Sequence, residues 1–342
     1  MSGAVKPDKS GAVKPDKSGA VKPDKSGAVK PGMSISDTLI VQEVATRDGF
    51  QIEPVFVPTP EKIRLIDALA EAGFSRIEVS SFVSPKAVPA LSDAAEVFAG
   101  IRRRRGTVFV ALVPNPKGAE RALAAKVGEI NLVASVSETH NRANMGMSPD
   151  ASIEGFARIM ETVAGSGVGV NATAATAFGC PFEGDEPEDK VVAQVERYLA
   201  LGVDGVTLAD TTGMANPRQV ARLVARVLPL VGAERLTLHF HNTRGLGLAN
   251  VLAAFETGAR RFDAALGGLG GCPFAPGATG NICTEDLVSM AHEMGLTTGL
   301  DLEALLGLSR DLPRLVGHDV PGQVAKAGRP CDLHPAPPLK AA

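Results

Sequence analysis

The chain has 342 residues, a formal net charge of -3, 44% hydrophobic residues and only 4% aromatic ones, the profile of a globular protein with one large domain or two small ones. No uninterrupted apolar run reaches membrane-spanning length and no secretory signal opens the chain, while the near-neutral balance argues against nucleic-acid binding: Arg102 to Arg105 is a basic run without interleaved aromatics. Cys180, Cys272, Cys283 and Cys331 are too few for a disulfide framework at this length, so reduced thiols in a cytoplasmic enzyme are expected.

The octapeptide SGAVKPDK occupies residues 2–9 and recurs at 10–17 and 18–25, then as SGAVKPG at 26–32. An exact repeat without apolar periodicity cannot bury a core, so residues 1–32 are expected to be a disordered arm, artificial in origin, with Met33 as the natural start. From there a single domain is expected over 33–342. Strands are predicted at 39–44, 76–80, 108–112, 129–134, 167–172, 205–209, 236–241 and 261–266. Helical spacing falls between them at 60–72, 92–102, 117–126, 152–164, 189–201, 217–230 and 248–257. Eight strand-helix units in strict alternation over roughly 250 residues predict an α/β fold, a closed (β/α)8 TIM barrel. Helices at 285–294 and 301–315 extend it, followed by a Pro/Gly-rich surface tail after Val320.

Active sites of such barrels lie where the strands end and the βα loops begin. Seven of the eight predicted ends carry hydrogen-bonding or ionisable groups. The first offers Arg47, Asp48, Gln51 and Glu53, the second Glu78, Ser80 and Ser81, the fourth Ser135, Ser137 and Glu138. The fifth has Asn171, Thr173 and Thr176, the sixth Thr207, Asp210 and Thr211, and the seventh His239, His241 and Asn242. Alternate strand residues face the same side, so His239 and His241 project into one space, and with Asp48 they make a candidate divalent-metal site. With the Asn281 amide added, the donors suit Mg2+ or Mn2+; zinc would call on a thiolate such as Cys272. After the eighth strand comes a glycine-dense stretch, residues 265–281, with Cys272 in its middle, as expected of a loop that closes over the site and presents a thiol.

These residues carry a resemblance. Glu43-Val-Ala-Thr-Arg-Asp-Gly-Phe-Gln-Ile-Glu53, Ile77-Glu-Val-Ser-Ser-Phe-Val-Ser-Pro-Lys86, Asp210-Thr-Thr-Gly213, His239-Phe-His241 and the GGLGGCPFAPGATGN loop resemble, in matching order from about 38 to 320, the 3-hydroxy-3-methylglutaryl-CoA lyases among the TIM-barrel metallolyases. The Arg-Asp and His-x-His pairs mark the superfamily; the Gly-Gly-Cys-Pro-Phe loop is specific to the lyases. The resemblance implies that Asp48, His239, His241 and Asn281 hold the metal, that Arg47 stabilises an enolate oxygen and that Cys272 is a catalytic thiol. Asp48 and His239 are both open as the proton acceptor. Glu78, Ser81, Ser137, Thr207, Asp210 and Thr211 match substrate-contact or supporting positions, and Gln51 joins them from the first strand end. An acyl-CoA substrate, acetyl-CoA and acetoacetate as products and a homodimer are implied as well.

Departures from the family pattern fall elsewhere: Asn242 for Asp, Arg244 for an aromatic, Asn171 and Thr173 for Arg and Tyr, and Phe50-Gln51-Ile52-Glu53 for Leu-Gln-Asn-Glu. They leave the acyl group open. The rival readings are a Claisen-condensing synthase, which shares the metal site but not the Gly-Gly-Cys-Pro loop, and a barrel that binds metal or CoA without catalysis. A structural turn is expected for Cys180, packing for Cys283, and surface or capping roles for His140, His292, His318 and His334. Asn141, Arg142 and Asn144 fall in an expected polar loop facing CoA.

Overall fold

Alternate residues through the middle of the strand segments are apolar, as expected of side chains that face surrounding helices: Ile77 and Val79, Ile130, Leu132 and Ala134, Leu236, Leu238 and Phe240 are all buried. The computed structural model of the chain describes Met1 and residues 37–271 and 280–336; the repeats and Cys272 lie outside the described residues. The strands are β1 (Ile40–Glu43), β2 (Arg76–Ser81), β3 (Val108–Leu112), β4 (Glu129–Ser135), β5 (Gly169–Ala175), β6 (Gly205–Asp210), β7 (Leu236–Phe240) and β8 (Arg261–Ala264). All pairings are parallel and the ring closes where β1 meets β8, with Ile40 opposite Arg261 and Glu43 opposite Ala264. It is a TIM barrel.

The helices in chain order are α1 (Thr59–Glu71), α2 (Ala94–Gly100), α3 (Pro116–Ala124), α4 (Glu138–Met145), α5 (Pro149–Val163), α6 (Glu188–Ala200), α7 (Pro217–Val231), α8 (Gly247–Glu256), α9 (Thr284–Glu293), α10 (Leu302–Val316) and α11 (Val324–Ala327). One of them, α4, stands where a polar loop was expected. It has no apolar stripe; its ends define it. Ser137 Oγ accepts from His140 N at 3.0 Å, and Gly146 closes it in the left-handed region at φ 72°. β5 runs three residues further than the predicted strand, and α11 lies within the predicted tail.

Inside the barrel the alternate strand positions are polar and paired with one another. Asn131 Oδ1 accepts from Asn171 Nδ2 at 3.0 Å and from Thr173 Oγ1 at 2.8 Å, while Asn171 Nδ2 also reaches Thr207 Oγ1 at 3.0 Å and Asn131 Nδ2 reaches Glu78 Oε1 at 3.1 Å. This ladder of amides and hydroxyls, ending on the Glu78 carboxylate, fills the barrel interior with polar groups that hydrogen-bond to one another.

Glu43 seals the ring. Its Oε1 accepts from Ala45 N (2.8 Å) and Leu266 N (3.0 Å) and its Oε2 from Thr284 Oγ1 (2.8 Å), joining the ends of β1 and β8 to the start of α9. Burial pushes this carboxyl up to about 7 from its ordinary 4.5, against the pull of those three donors. A raised carboxyl contributes most below its unfolded value and loses that contribution as pH rises through its folded one. Between about pH 4.5 and 7 the contribution of Glu43 to stability should therefore fall as pH rises. In Glu43→Gln the amide oxygen keeps both backbone donors and the amide nitrogen donates to Thr284. Denaturant titrations across pH should find this slope removed and the variant more stable than the parent above neutrality, by on the order of 2–3 kcal/mol. Parallel pH profiles for the two proteins would refute the assignment.

Candidate active site

Directly after β1 the chain makes one π-helical turn, Ala45–Gly49, in which Val44 O accepts from the N–H groups of Arg47, Asp48 and Gly49 at 3.1, 2.8 and 3.3 Å. The turn sets Arg47 and Asp48 side by side at the barrel mouth. Arg47 Nε donates to Glu78 Oε2 and Arg47 Nη1 to Asp48 Oδ1, each at 2.6 Å, with the guanidinium buried. Burial opposes its charge, but the Asp48 and Glu78 carboxylates prevail and hold its pKa above the ordinary arginine value. Burial likewise works against the Asp48 carboxylate, and Arg47 with the two imidazoles outweighs it, holding Asp48 well below the usual carboxylate range.

β7 delivers His239 from its last turn of alternation and His241 just beyond its end. Their Nε2 atoms lie 3.1 Å apart, and Asp48 Oδ2 stands 3.9 Å from the first and 3.6 Å from the second. Burial lowers His241, whereas for His239 the neighbouring Asp263 and Asp48 carboxylates override burial and raise it. Asn281 completes the group: its Nδ2 donates to Asp48 Oδ2 at 2.8 Å and to Leu269 O at 3.0 Å.

Asn281 is held by a closed neck. Gly280 O accepts from Asn242 N at 2.8 Å, Ala265 N donates to Ile282 O at 3.1 Å, and the strand end at His241 pairs with Asn281. Gly270 (φ 110°) and Gly280 (φ 89°) make the close approach possible, since a Cβ on the first would stand 2.6 Å from Asn281 Nδ2 and on the second 2.6 Å from Gly268 O.

The ligand atoms of Asp48, His239 and His241 all lie within 4.8 Å of one another. Asn281 Oδ1 and His241 Nδ1 are buried without a hydrogen-bond partner among the described residues. Two imidazoles and a carboxylate converging beside an unsatisfied amide oxygen are a donor set that fits a divalent cation.

Arg47, Asp48, Gln51, Thr211, His239 and His241 line a cavity of about 390 Å3 at the strand ends. Glu78 sits behind Arg47. Other predicted contacts turn to protein partners: Ser81 Oγ accepts from Val83 N, Ser137 caps α4, Thr207 belongs to the interior ladder, and Asp210 Oδ1 accepts from Met214 N at 2.7 Å. Burial pushes Asp210 up to about 6. Cys272 is outside the described residues, but Gly271 just before it lines the cavity.

Cys180 closes a turn with Gly184, exchanging both backbone hydrogen bonds, and Cys283 is buried at the start of α9. His140, for which a surface or capping role was expected, is buried; it and Asn144 line the cavity, and Asn141 braces α4 against Ser135, Met147 and Ser152. Asn242 and Arg244 brace the neighbouring loops, through Gly247 N and through the carbonyls of Thr212 and Gly213. Asn115, Asn131 and Asp263 are polar cavity residues absent from the predicted set. Asp263 of β8 lies opposite His239 and accepts from its Nδ1 at 3.1 Å.

The HMGL-like family model matches residues 38–312. The chain is 41% identical over 283 residues to hydroxymethylglutaryl-CoA lyase YngG of Bacillus subtilis, covering 83% of this chain and 95% of that protein. It is 40% identical over 302 residues to (R)-citramalyl-CoA lyase of Chloroflexus aurantiacus, covering 85% and 95%. Among solved structures, an HMG-CoA lyase from Acinetobacter baumannii in complex with coenzyme A and 3-methylmalate superposes with a TM-score of 0.87 at 62% identity, covering 89% of this chain and 100% of that one. Spanning the barrel from its first strand to the helices beyond its last, these matches show that the chain belongs to the HMGL-like family.

Proposed function

We propose that the protein is a carbon-carbon lyase that cleaves 3-hydroxy-3-methylglutaryl-CoA, or a close 3-hydroxyacyl-CoA, to acetyl-CoA and a 3-oxoacid such as acetoacetate. One observation carries the reading: a buried guanidinium, pinned at 2.6 Å by two carboxylates, faces the same cavity as the paired imidazoles. Asp48, His239, His241 and Asn281 would hold the ion, Mg2+ or Mn2+ by the hardness of the donors. Bound there, a divalent cation supplies Lewis acidity that eases loss of the substrate hydroxyl proton.

The remaining chemistry is in the side chains. Asp48, or His239 where its Nε2 is not taken up by the ion, accepts the C3 hydroxyl proton, the C2–C3 bond breaks, and its electron pair becomes the enolate of acetyl-CoA. Arg47, already immobilised by Glu78, meets the negative oxygen with a fixed cation and no reorganisation. Cys272 then protonates C2. In this reading Gln51 and Thr211 contact the substrate, Glu78 orients Arg47, and Ser81, Ser137, Thr207 and Asp210 support the wall. By the resemblance the working form is a cytoplasmic homodimer, and among the described residues no helix is long and apolar enough to cross a membrane.

The test is an assay with Mg2+ or Mn2+ over a panel of 3-hydroxy-3-alkylglutaryl-CoA thioesters and citramalyl-CoA, with products identified. Acetyl-CoA plus acetoacetate from the methyl substrate is expected, and chelation by EDTA should abolish it. A higher kcat/KM for citramalyl-CoA would move the assignment to that substrate. Condensation of acetyl-CoA with a 2-oxoacid, without cleavage, would overturn it.

A further inference from the structure

The two imidazoles at the barrel mouth are not equivalent. His241 Nδ1 is buried with no hydrogen-bond partner among the described residues, so no acceptor there holds a proton on that nitrogen. His239 Nδ1 faces a carboxylate. β7 and β8 pair with His239 opposite Asp263, both side chains turn into the barrel, and Asp263 Oδ2 lies 3.1 Å from His239 Nδ1. Both groups are buried, at 8% and 6% exposure, so water does not compete for that bond. A carboxylate oxygen only accepts, so the proton belongs on Nδ1, and the Nε2 lone pair is left pointing at His241 and Asp48.

We propose that Asp263 is a positioning residue that locks His239 in its Nδ1–H tautomer and holds the ring so that Nε2 is the pre-organised nitrogen donor of the pair. The proposal rests on the metal-site reading above. An imidazole that donates to a carboxylate is a more basic ligand and has lost its rotational freedom before an ion arrives. Asp263 Oδ1 is buried with no hydrogen-bond partner among the described residues, so the carboxylate's hydrogen bonding is directed at His239, while the charges of Arg47, Arg76 and Arg261 favour its ionised form. His239 is therefore fixed from behind by the barrel's own register, whereas His241 is fixed through the backbone by its pairing with Asn281.

The first measurement needs no variant. In metal-free protein carrying 15N-labelled histidine, at alkaline pH, the His239 ring should show a protonated Nδ1 and a bare Nε2; a protonated Nε2 would overturn the proposal outright. In Asp263→Asn, close in shape and able to donate to Nδ1, the ring should change to the Nε2–H form. Mn2+ affinity, followed by the electron paramagnetic resonance of free Mn2+, should weaken about 10- to 100-fold. Asp263→Ala should weaken Mn2+ binding similarly, and His241→Ala should weaken it while His239 keeps its Nδ1–H tautomer. Unchanged affinity together with an unchanged ring in both Asp263 variants would refute the role. Absence of Mn2+ binding by the parent protein would refute the metal-site reading instead, and the His239 ring signals alone would then decide what Asp263 does.

Discussion

Arg47→Met is expected to lower kcat by about 10²- to 10³-fold, the loss typical when one fixed donor to a developing oxyanion is removed. The effect should fall on turnover more than on binding, because the charge that Arg47 meets exists only as the C2–C3 bond breaks. Arg47→Lys is the sharper comparison. It keeps the positive charge but cannot reach Glu78 and Asp48 together from one planar group, as the guanidinium does at 2.6 Å to each. Its activity should lie between the parent and the methionine variant. The methionine change also leaves Glu78 buried beside Asn131 without its cation, and breaking a buried pair costs about 3–5 kcal/mol when the orphan stays charged. Burial already raises the Glu78 pKa, and without Arg47 the carboxyl should take up a proton, which limits the loss. Thermal melts beside steady-state kinetics separate the two effects. Turnover within twofold of the parent would remove Arg47 from the chemistry.

Cys272→Ser should reduce turnover by about 10²- to 10⁴-fold, the range for removing a positioned general acid, and leave Mn2+ affinity and the melting temperature unchanged. A serine hydroxyl has nearly the shape of the thiol but is a far weaker acid, so the substitution isolates proton delivery from packing. The placement rests on the Gly-Gly-Cys-Pro-Phe motif and on Gly271, the preceding residue, which lines the cavity beside Arg47 and His239. Retained turnover would mean that another group, or water, protonates the enolate carbon. Loss of Mn2+ binding in the same variant would place the thiol among the metal ligands.

The barrel could be read from the chain because strand and helix periods alternate eight times, and each period is set by burial against the next layer. His239 and His241 were legible for the same reason, since a period of two puts both on one face. Other features depend on information that periodicity does not carry. The π-helical turn at Ala45–Gly49 is a matter of backbone hydrogen bonding over five residues, and nothing in Ala-Thr-Arg-Asp-Gly distinguishes it from a loop. Helix α4 has only its caps, Ser137 and Gly146, to announce it. Thr207 matches a substrate-contact or supporting position by the resemblance, and its hydrogen bond with Asn171, which joins it to the interior ladder, is not readable from its own strand. Asp263 needed the register between β7 and β8, which no single strand reveals; had that register been available, the pairing with His239 would have been visible.

The closure of β1 against β8 bears on how the protein folds. Asp48 and Asn281 are separated by 233 residues, and Glu43 reaches Leu266 across 223 and Thr284 across 241. Contacts this distant along the chain carry the largest loop-closure cost and are slow to find. The assembled site is therefore a readout of complete folding: an open intermediate with every other strand pair formed would still hold Asp48 away from its partners. Anything bound among Asp48, His239 and His241 favours the closed ring over such intermediates by mass action and strengthens the most non-local seam of the barrel.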